Sequence, residues 1–271
     1  MAVSVLLVGC GNMGFAMLSG WQKSAKLIAG EAFVVEPNDA LRERVAKLGS
    51  GAVADAAELP ADLRPTIVIF AVKPQVMRDV VPAYRRFAER GTTFVSIAAG
   101  TGIKVFEELL GQSAAVIRCM PNTPAAIGKG MMVMVSNTRV SSQAKDFVAD
   151  LLSASGKVAT IDDEALMDAV TAVSGSGPAY IFHFIEALTV AAERAGLPTE
   201  TARLLAMQTV YGAAALAAES VEEPRELRRQ VTSPNGTTAA ALGVLMGDDR
   251  LTKLLTEAVE AARLRSIELG K

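Results

Sequence analysis

A run of glycines near the start of the chain has the spacing of a phosphate-binding turn. The apolar run Val5 to Val8 leads into Gly9, Gly11 and Gly14, which form the pattern G-x-G-x-x-G before helix-like residues begin. The first glycine permits a tight turn, the second lets backbone approach a pyrophosphate, and the third lets the helix pack closely. Amides at that helix N-terminus face the anion. The pattern predicts a dinucleotide site formed by Gly9, Cys10, Gly11, Asn12, Met13 and Gly14.

An acidic residue follows the second strand-like run at the distance expected for ribose recognition. Glu36 lies 22 residues after Gly14, close to the position from which a carboxylate accepts the ribose hydroxyls. A carboxylate repels the 2′-phosphate of NADPH, so charge alone favours NADH. Arg42 and Arg44 follow within two helical turns, and they supply a counter-charge if Glu36 turns away. The residues therefore leave the cofactor as NADH or NADPH.

Two other strand-like runs end in residues suited to the walls of a cofactor crevice. In an open α/β sheet, ligands bind at the carboxyl ends of the strands, and small residues there let a dinucleotide approach the backbone. For Lys73 two interpretations stay open, since it either contacts the cofactor ribose or merely covers the helix that follows. The predicted wall residues are Ala71, Val72, Lys73 and Pro74 after one run, and Ala98, Ala99 and Gly100 after another.

The pattern of apolar residues changes part way along the chain. Up to about residue 160, short apolar runs alternate with helical patterns, which is typical of a doubly wound, mostly parallel sheet. After Ile161 helical periodicity takes over, with Ile181, Phe184, Ile185 and Leu188 on one stripe. We therefore predict an α/β Rossmann-type domain over residues 1–161 and an all-helical domain over 162–271. The six predicted strands are Val3 to Val8, Phe33 to Val35, Thr66 to Val72, Thr93 to Ile97, Ala115 to Arg118 and Met131 to Val135.

Composition excludes several other classes of protein. Lys and Arg number 27 against 29 Asp and Glu, without a basic block, so no nucleic-acid partner is expected. Two isolated cysteines and a single histidine, His183, argue against a disulfide scaffold and a metal site, and indicate the cytoplasm. The start Met1-Ala2-Val3-Ser4 lacks the basic lead of a signal peptide. The uncharged stretch Leu204 to Ala218 is shorter than a membrane span, so no membrane is expected.

One helix of the second part predicts association between subunits. The helix that begins near Thr199 has apolar or small residues nearly all round, and a half-domain of this size is small for enclosing it alone. Two interpretations are open: burial inside its own monomer, or burial by subunits that share helices. We favour a homo-oligomer, either a dimer or an assembly of dimers.

The chain resembles the pyrroline-5-carboxylate reductases, which make L-proline. The resemblance runs from Gly9 to the last helix, and its most specific blocks are Val173 to Tyr180 and Leu227 to Thr238. It implies a Rossmann domain followed by a helical dimerisation domain. It also implies reduction of the C=N bond of a small cyclic imine, Δ1-pyrroline-5-carboxylate, by a reduced nicotinamide. Other matching blocks are Gly9 to Gly14, Ala71 to Pro74, Ser96 to Gly100 and Arg118 to Pro124.

The resemblance also implies roles for residues of the second part. It places Thr238 near the substrate ring nitrogen, as a hydrogen-bond donor or proton relay, and Ser233, Gly236 and Thr237 around the substrate carboxylate. A different interpretation is that Thr237 or Thr238 simply caps the helix that follows. Ser176 and Gly177 match the family segment close to the nicotinamide and the substrate.

The resemblance also bears on the interpretation of three further residues. Asn122 lies in a loop of the first domain. It either contacts the cofactor or is an ordinary turn residue, since Pro and Asn are common in turns. Asn235 replaces a glycine of the family pattern, and asparagine tolerates positive φ, so the loop shape can survive. Glu36 stands where NADPH-preferring relatives tend to have a small hydroxyl residue, which puts transfer of their cofactor preference in doubt.

Two alternatives of other classes are weighed against this function. A β-hydroxyacid-type dehydrogenase shares the architecture but needs a lysine after the glycine-rich boundary segment, and Pro178 to Ala192 contains none. A non-catalytic NAD-binding protein needs only the nucleotide loop. The intact block from Ser233 to Thr238 argues against it, because a sensor has no use for a second anion-binding turn.

Overall fold

An eight-stranded sheet forms the centre of the N-terminal part. The computed structural model describes residues 3–270, so Met1, Ala2 and Lys271 lie outside the described residues, including the outermost positions of both predicted domains. The strand order is β3-β2-β1-β4-β5-β6-β7-β8, and every neighbouring pair is parallel except β6 and β7. The strands are β1 (Val5–Val8), β2 (Ala32–Val35), β3 (Gly51–Val53), β4 (Ile67–Phe70), β5 (Thr93–Ser96), β6 (Ala115–Met120), β7 (Gly130–Ser136) and β8 (Gly156–Thr160).

Helices connect the strands and make up the rest of the chain. A π-helical turn over Thr171–Gly175 precedes the long helices. Within residues 3–270 no strand follows Thr160, which confirms the predicted change from α/β to helical structure. The helices are α1 (Asn12–Lys23), α2 (Asp39–Ala46), α3 (Met77–Val80), α4 (Arg85–Ala88), α5 (Ile103–Leu110), α6 (Ser142–Ser153), α7 (Met167–Val170), α8 (Gly177–Arg194), α9 (Thr199–Glu219), α10 (Pro224–Gln230), α11 (Thr237–Met246) and α12 (Arg250–Leu269).

The sheet is buried on both faces, as its continuous apolar strands predict. Alternate residues of β1 enter different cores, with Val5 and Leu7 in one and Leu6 and Val8 in the other. The first core includes the α1 residues Met17, Leu18 and Trp21, and the second is rich in aromatic side chains. Burial on both sides defines a doubly wound α/β domain.

Contacts divide the chain into two compact units. The first unit comprises residues 3–176 together with 262–270, and the second comprises Gly177–Ala261. This division falls after Ser176 and reflects contacts alone. The predicted domain boundary between residues 161 and 162 therefore stays a prediction. In the described chain, no helix combines the length and apolar character needed to cross a membrane.

The second unit leaves many apolar side chains exposed in a single chain. Within α9 only Ala202 and Ala206 are buried, whereas Leu204 is 68% exposed and Tyr211 is 63% exposed. The helix is therefore not enclosed by its own monomer, and that interpretation is wrong. Exposed apolar area of this extent marks a surface for association with another chain.

The end of α12 packs on the turn after β5. The Ser266 hydroxyl is buried and lies 2.6 Å from Oδ1 of Asp168, to which it donates a hydrogen bond. Gly100 has a φ of 72°, and a Cβ on it would lie 3.3 Å from the carbonyl oxygen of Leu269. A Cβ on Gly270 would in turn lie 3.0 Å from the Gly100 oxygen. The last residues of the described chain thus support the strand end that carries Ala98 and Ala99.

Phe70, at the centre of the aromatic core, allows a test of the packing. It stacks on Phe106 at 5.8 Å and meets Tyr84 edge-on at 5.4 Å, and its side chain is fully buried. We expect Phe70→Ala to lower the free energy of unfolding by about 3–5 kcal/mol, because it leaves a large cavity. Urea denaturation at fixed protein concentration measures the change. Exposed Arg85→Ala serves as the control, with a change within about 0.5 kcal/mol. An equally small change for Phe70→Ala would contradict the packing.

Candidate active site

The glycine turn between β1 and α1 has the geometry of an anion site. Gly9 has a φ of 87°, and a Cβ on Gly14 would lie only 2.5 Å from the Gly9 carbonyl oxygen. Both positions therefore require glycine. Gly11 is the N-cap of α1, no side chain caps the helix, and no acidic residue lies in its first turn. A Cβ on Gly11 would meet nothing within 4 Å, so its missing side chain leaves open space at the helix N-terminus. These features fit a dinucleotide pyrophosphate.

Glu36 lies at the end of β2 and is bonded to the same turn. Its Oε2 accepts a hydrogen bond of 2.7 Å from the amide of Cys10, and its Oε1 accepts one of 3.0 Å from the amide of Asn38. The residue is only 6% exposed. Nη1 of Arg42 donates to the Glu36 carbonyl oxygen at 2.7 Å. The carboxylate therefore joins β2 to the glycine turn.

The predicted wall residues lie along one crevice of about 450 Å³. The ends of β1, β4, β5 and β6 contribute to it, as expected for the carboxyl edge of a parallel sheet. Gly9, Cys10 and Gly14 form the turn beneath it, and Gly100 supports the β5 end. The predicted residues that line the crevice are Gly11, Asn12, Met13, Ala71, Val72, Lys73, Pro74, Ala98, Ala99 and Asn122.

The Asn122 side chain has a structural role. Its Nδ2 donates to the carbonyl oxygen of Ser174 at 3.1 Å, and its Oδ1 accepts from the amide of Met131 at 2.9 Å. These bonds join the loop after β6 to the start of β7 and to the π-helical turn. The direct cofactor contact of Asn122 stays a prediction.

The crevice is also lined by residues that were not predicted individually as cofactor-binding, although they lie in blocks that match the family pattern: Ile97, Met120, Pro121, Thr123 and Gly175. A Cβ on Gly175 would overlap the Met120 methyl group, so a larger residue there would require the Met120 side chain to move. The π-helical hydrogen bond from the Ser176 amide to the Thr171 oxygen, 2.9 Å, shapes the same segment. The serine- and glycine-rich motif of 174–177 was the available signal. Ser176 closes the first unit, and Gly177 begins α8 in the second.

The second unit carries the other predicted anion-binding turn. Ser233, Gly236, Thr237 and Thr238 lie together where the loop after α10 enters α11. The Gly236 amide donates to the Ser233 oxygen at 3.1 Å, which closes a turn, and a Cβ on Gly236 would lie 2.5 Å from Ser233 Oγ. Asn235 has a φ of 60°, so the expected tolerance of this position for positive φ is confirmed.

The capping interpretation of the two threonines is wrong. Gly236 is the N-cap of α11, and no side chain forms a capping hydrogen bond there. Glycine has no side chain with which to compete for the first-turn amides. The end of this helix is therefore available to an external anion, as its dipole favours.

The two cysteines are buried and unreactive. Burial raises the pKa of the Cys119 thiol to about 12. Burial first, and the negative charge of Glu36 second, raise the pKa of the Cys10 thiol to about 12. A thiol that stays protonated at neutral pH is a poor nucleophile. Cys10 therefore serves the turn through its backbone.

The sequence of this chain matches family models and known proteins along most of its length. A family model described as pyrroline-5-carboxylate reductase dimerisation matches residues 164–269, and one described as NADP oxidoreductase, coenzyme F420-dependent, matches residues 4–100. A pyrroline-5-carboxylate reductase of Pseudomonas aeruginosa is 41% identical over 98% of this chain and 97% of its own. One of Synechocystis is 38% identical over the whole of both chains.

Solved structures agree with these relatives. A pyrroline-5-carboxylate reductase from Coxiella burnetii superposes with a TM-score of 0.93, at 32% identity over the whole of both chains. A Plasmodium falciparum pyrroline carboxylate reductase, solved with NADP bound, gives 0.83 at 29% identity over 99% of this chain and 98% of its own.

Fold, crevice and relatives together define the class of protein as a Rossmann-type oxidoreductase that uses a nicotinamide dinucleotide. More narrowly, the chain belongs to the pyrroline-5-carboxylate reductase family. It carries the dimerisation domain of that family, which accounts for the exposed apolar side chains of the second unit. Membership decides against the β-hydroxyacid-type dehydrogenase.

Gly11→Ala separates cofactor binding from folding. Because space beside Gly11 is open and its φ of −62° suits any residue, we expect an unchanged melting temperature. The added methyl group occupies space that the pyrophosphate needs, so we expect the Kd for the reduced dinucleotide to rise at least about tenfold. Fluorescence titration measures the Kd.

Gly20→Ala, in the same helix but away from the turn, is the matched control. A Cβ there would lie 3.3 Å from Ser155 Oγ, so a small loss of stability with unchanged cofactor affinity is expected. If Gly11→Ala binds the dinucleotide like the parent, the pyrophosphate does not lie against this turn.

Proposed function

We propose that this protein reduces Δ1-pyrroline-5-carboxylate to L-proline with NADH or NADPH, the last step of proline biosynthesis. The observation that carries the proposal is the joint presence of two uncapped helix N-termini, each preceded by a glycine turn: α1 after Gly9–Gly14 and α11 after Ser233–Gly236. One suits the pyrophosphate of the cofactor, and the other suits the carboxylate of a small substrate.

The residues of the first unit hold the cofactor in this proposal. The first-turn amides of α1 bind the pyrophosphate, and Glu36 accepts the ribose hydroxyls. The ends of β4 and β5, with Ala71 to Pro74 and Ala98 to Gly100, flank the rest of the dinucleotide. When bound, the reduced nicotinamide supplies a hydride. Lys73 is exposed at the end of β4, where it either contacts a ribose or remains in solvent.

The residues of the second unit hold the substrate. First-turn amides of α11, with Ser233, Gly236 and Thr237, bind its carboxylate, and the Thr238 hydroxyl hydrogen-bonds the ring nitrogen. Ser176, the last residue of the first unit before α8, and Gly177, the first residue of α8, supply small groups beside the reacting ring. Holding the imine carbon in a fixed orientation lowers the entropic part of the barrier.

The reaction needs no metal or strong acid from the chain. The imine carbon accepts the hydride with its two electrons, the π pair of the C=N bond moves to nitrogen, and nitrogen ends with one added proton. A substrate that arrives protonated already carries that proton. Thr238 then orients the N–H group, and with a neutral imine it relays a proton from solvent.

We also propose that the protein functions in the cytoplasm. Both cysteines are free, although Cys10 and Cys119 are buried and therefore protected. Unpaired cysteines are typical of a reducing compartment. Subcellular fractionation with an antibody tests this proposal, and recovery with periplasmic or secreted markers would contradict it.

Turnover of the imine tests the function directly. With Δ1-pyrroline-5-carboxylate we expect oxidation of the reduced dinucleotide in equal amount to the L-proline formed, followed by absorbance and by amino-acid analysis. Gly11→Ala should lose most of this activity at low cofactor concentration. Cofactor binding without turnover would instead favour the non-catalytic NAD-binding protein.

Thr238→Ala tests the substrate contact. Loss of a hydrogen bond to the reacting nitrogen should lower kcat roughly tenfold to a hundredfold, because the bond strengthens as charge on nitrogen changes. Cofactor Kd should not change, and Thr238→Ser should restore most of kcat. A Thr238→Ala enzyme with parental kcat and KM would show that the hydroxyl is dispensable.

A further inference from the structure

The environment of Glu36 bears on which nicotinamide dinucleotide the chain accepts. NADPH differs from NADH only by a phosphate on the 2′-oxygen of the adenosine ribose, and in this fold that ribose lies at the end of the second strand. The charges around the end of β2 therefore determine the preference. The two arginines there leave the preference open only if the Glu36 side chain is able to turn away.

The structure holds the Glu36 carboxylate in place through both oxygens. One accepts from the Cys10 amide at 2.7 Å and the other from the Asn38 amide at 3.0 Å. Rotating the side chain away breaks both bonds and leaves a buried donor on the glycine turn without its partner, which is costly. Each oxygen keeps further acceptor capacity. A ribose hydroxyl can use that capacity, whereas a phosphate oxygen has no proton to donate.

The two arginines that follow are engaged elsewhere. Arg42 donates through Nη1 to the Glu36 carbonyl oxygen at 2.7 Å, and through Nη2 to the Asp39 carboxylate. The Arg44 guanidinium lies over the ring of Phe15, 4.0 Å from its centroid. Neither has the freedom of an unpaired surface cation, so a phosphate must compete with existing partners for each.

A second carboxylate weakens the remaining attraction for phosphate. Asp39 lies in the first turn of α2, whose N-cap Asn38 accepts from the Leu41 amide through its side chain. A helix N-terminus attracts phosphate through its partial positive charge and its unbonded amides. Here the Asp39 carboxylate offsets that charge, and the Asn38 side chain already accepts from one of the amides. The end of β2 and the start of α2 thus each carry a carboxylate.

We infer that the pinned Glu36 carboxylate makes this protein selective for NADH over NADPH. The inference rests on the proposed function only in taking the glycine turn as the dinucleotide site. A fixed negative charge beside the 2′-position repels the phosphate at short range, where partial burial strengthens the effect. The NADP-bound relative from Plasmodium falciparum shows that the fold itself admits a phosphorylated cofactor. Selectivity therefore comes from side chains of this chain.

Binding without substrate tests the inference. Titration of the protein with NADH and with NADPH, by isothermal calorimetry or fluorescence, should give a Kd for NADH at least about tenfold lower. Glu36→Ser and Glu36→Gln should each reduce this ratio about tenfold or more, because both remove the charge. Serine also removes the bonds to Cys10 and Asn38, whereas glutamine retains an acceptor for one of them.

Glu43→Gln is the matched control, because it removes one negative charge from an exposed position on α2, the helix that follows Glu36. Its ratio of Kd values should stay within about twofold of the parental ratio, since a solvated charge is largely screened. Melting temperatures measured alongside show which variants remain folded.

Each result separates this inference from the proposed function. NADPH binding as tight as NADH in the parent, or an unchanged ratio in Glu36→Gln, would overturn the selectivity even if the imine is reduced. Selective NADH binding without turnover would overturn the proposed reaction and leave the selectivity intact.

Discussion

The close contact between Gly14 and the carbonyl oxygen of Gly9 is the constraint on which the rest of the site depends. It fixes how near α1 comes to the end of β1, and any side chain on Gly14 would push the two apart. Gly9 is equally restricted, because a Cβ there would lie 2.9 Å from the carbonyl oxygen of Ala71 at the end of β4. Two strands and a helix therefore converge within one turn. The N-terminus of α1, which no side chain caps, is thereby held at the ends of these strands.

Charged and polar side chains hold the rim of the crevice around that turn. Glu36 joins β2 to it, and Asn122 joins the loop after β6 to the π-helical segment. Away from the crevice, Glu164 Oε1 accepts from the Ile103 amide at 2.8 Å and from Arg118 at 3.1 Å. That carboxylate stabilises the N-terminus of α5, where Gly102 offers no capping side chain. Such bonds are strong because one partner is charged and partly buried.

Most of the first unit could be predicted from the sequence, because continuous apolar runs and a glycine motif give local signals. All six predicted strands are present with small shifts at their ends, and the fold class is confirmed. The strands β3 and β8 were missed, because Gly51–Val53 is too short to give a pattern and Gly156–Thr160 contains glycine and lysine. Gly156 is required where it lies, since a Cβ on it would overlap the carbonyl of Gly130 on β7. That requirement arises from a pairing that local sequence does not reveal.

The site was predictable in type but not in its connections. The glycine turn, Glu36 and the turn before α11 were each identified from residue type and spacing. The bond from the Cys10 amide to Glu36 and the bond from Asn122 to Ser174 link residues that are 26 and 52 positions apart in the chain, and they appear only in three dimensions. The alternative that a threonine caps α11 was reasonable from propensity, yet glycine occupies the N-cap. An uncapped helix N-terminus leaves its first-turn amides available to a ligand, as the proposed carboxylate site requires.

Isotope transfer tests the central claim, that a nicotinamide held on α1 reduces a cyclic imine directly. The enzyme would be given Δ1-pyrroline-5-carboxylate and NADH with deuterium at either transferable position of the nicotinamide, and the proline would be analysed by mass spectrometry. The account predicts one deuterium on the former imine carbon from only one of the two labelled forms. Proline without deuterium from both forms, or no proline at all, would contradict it.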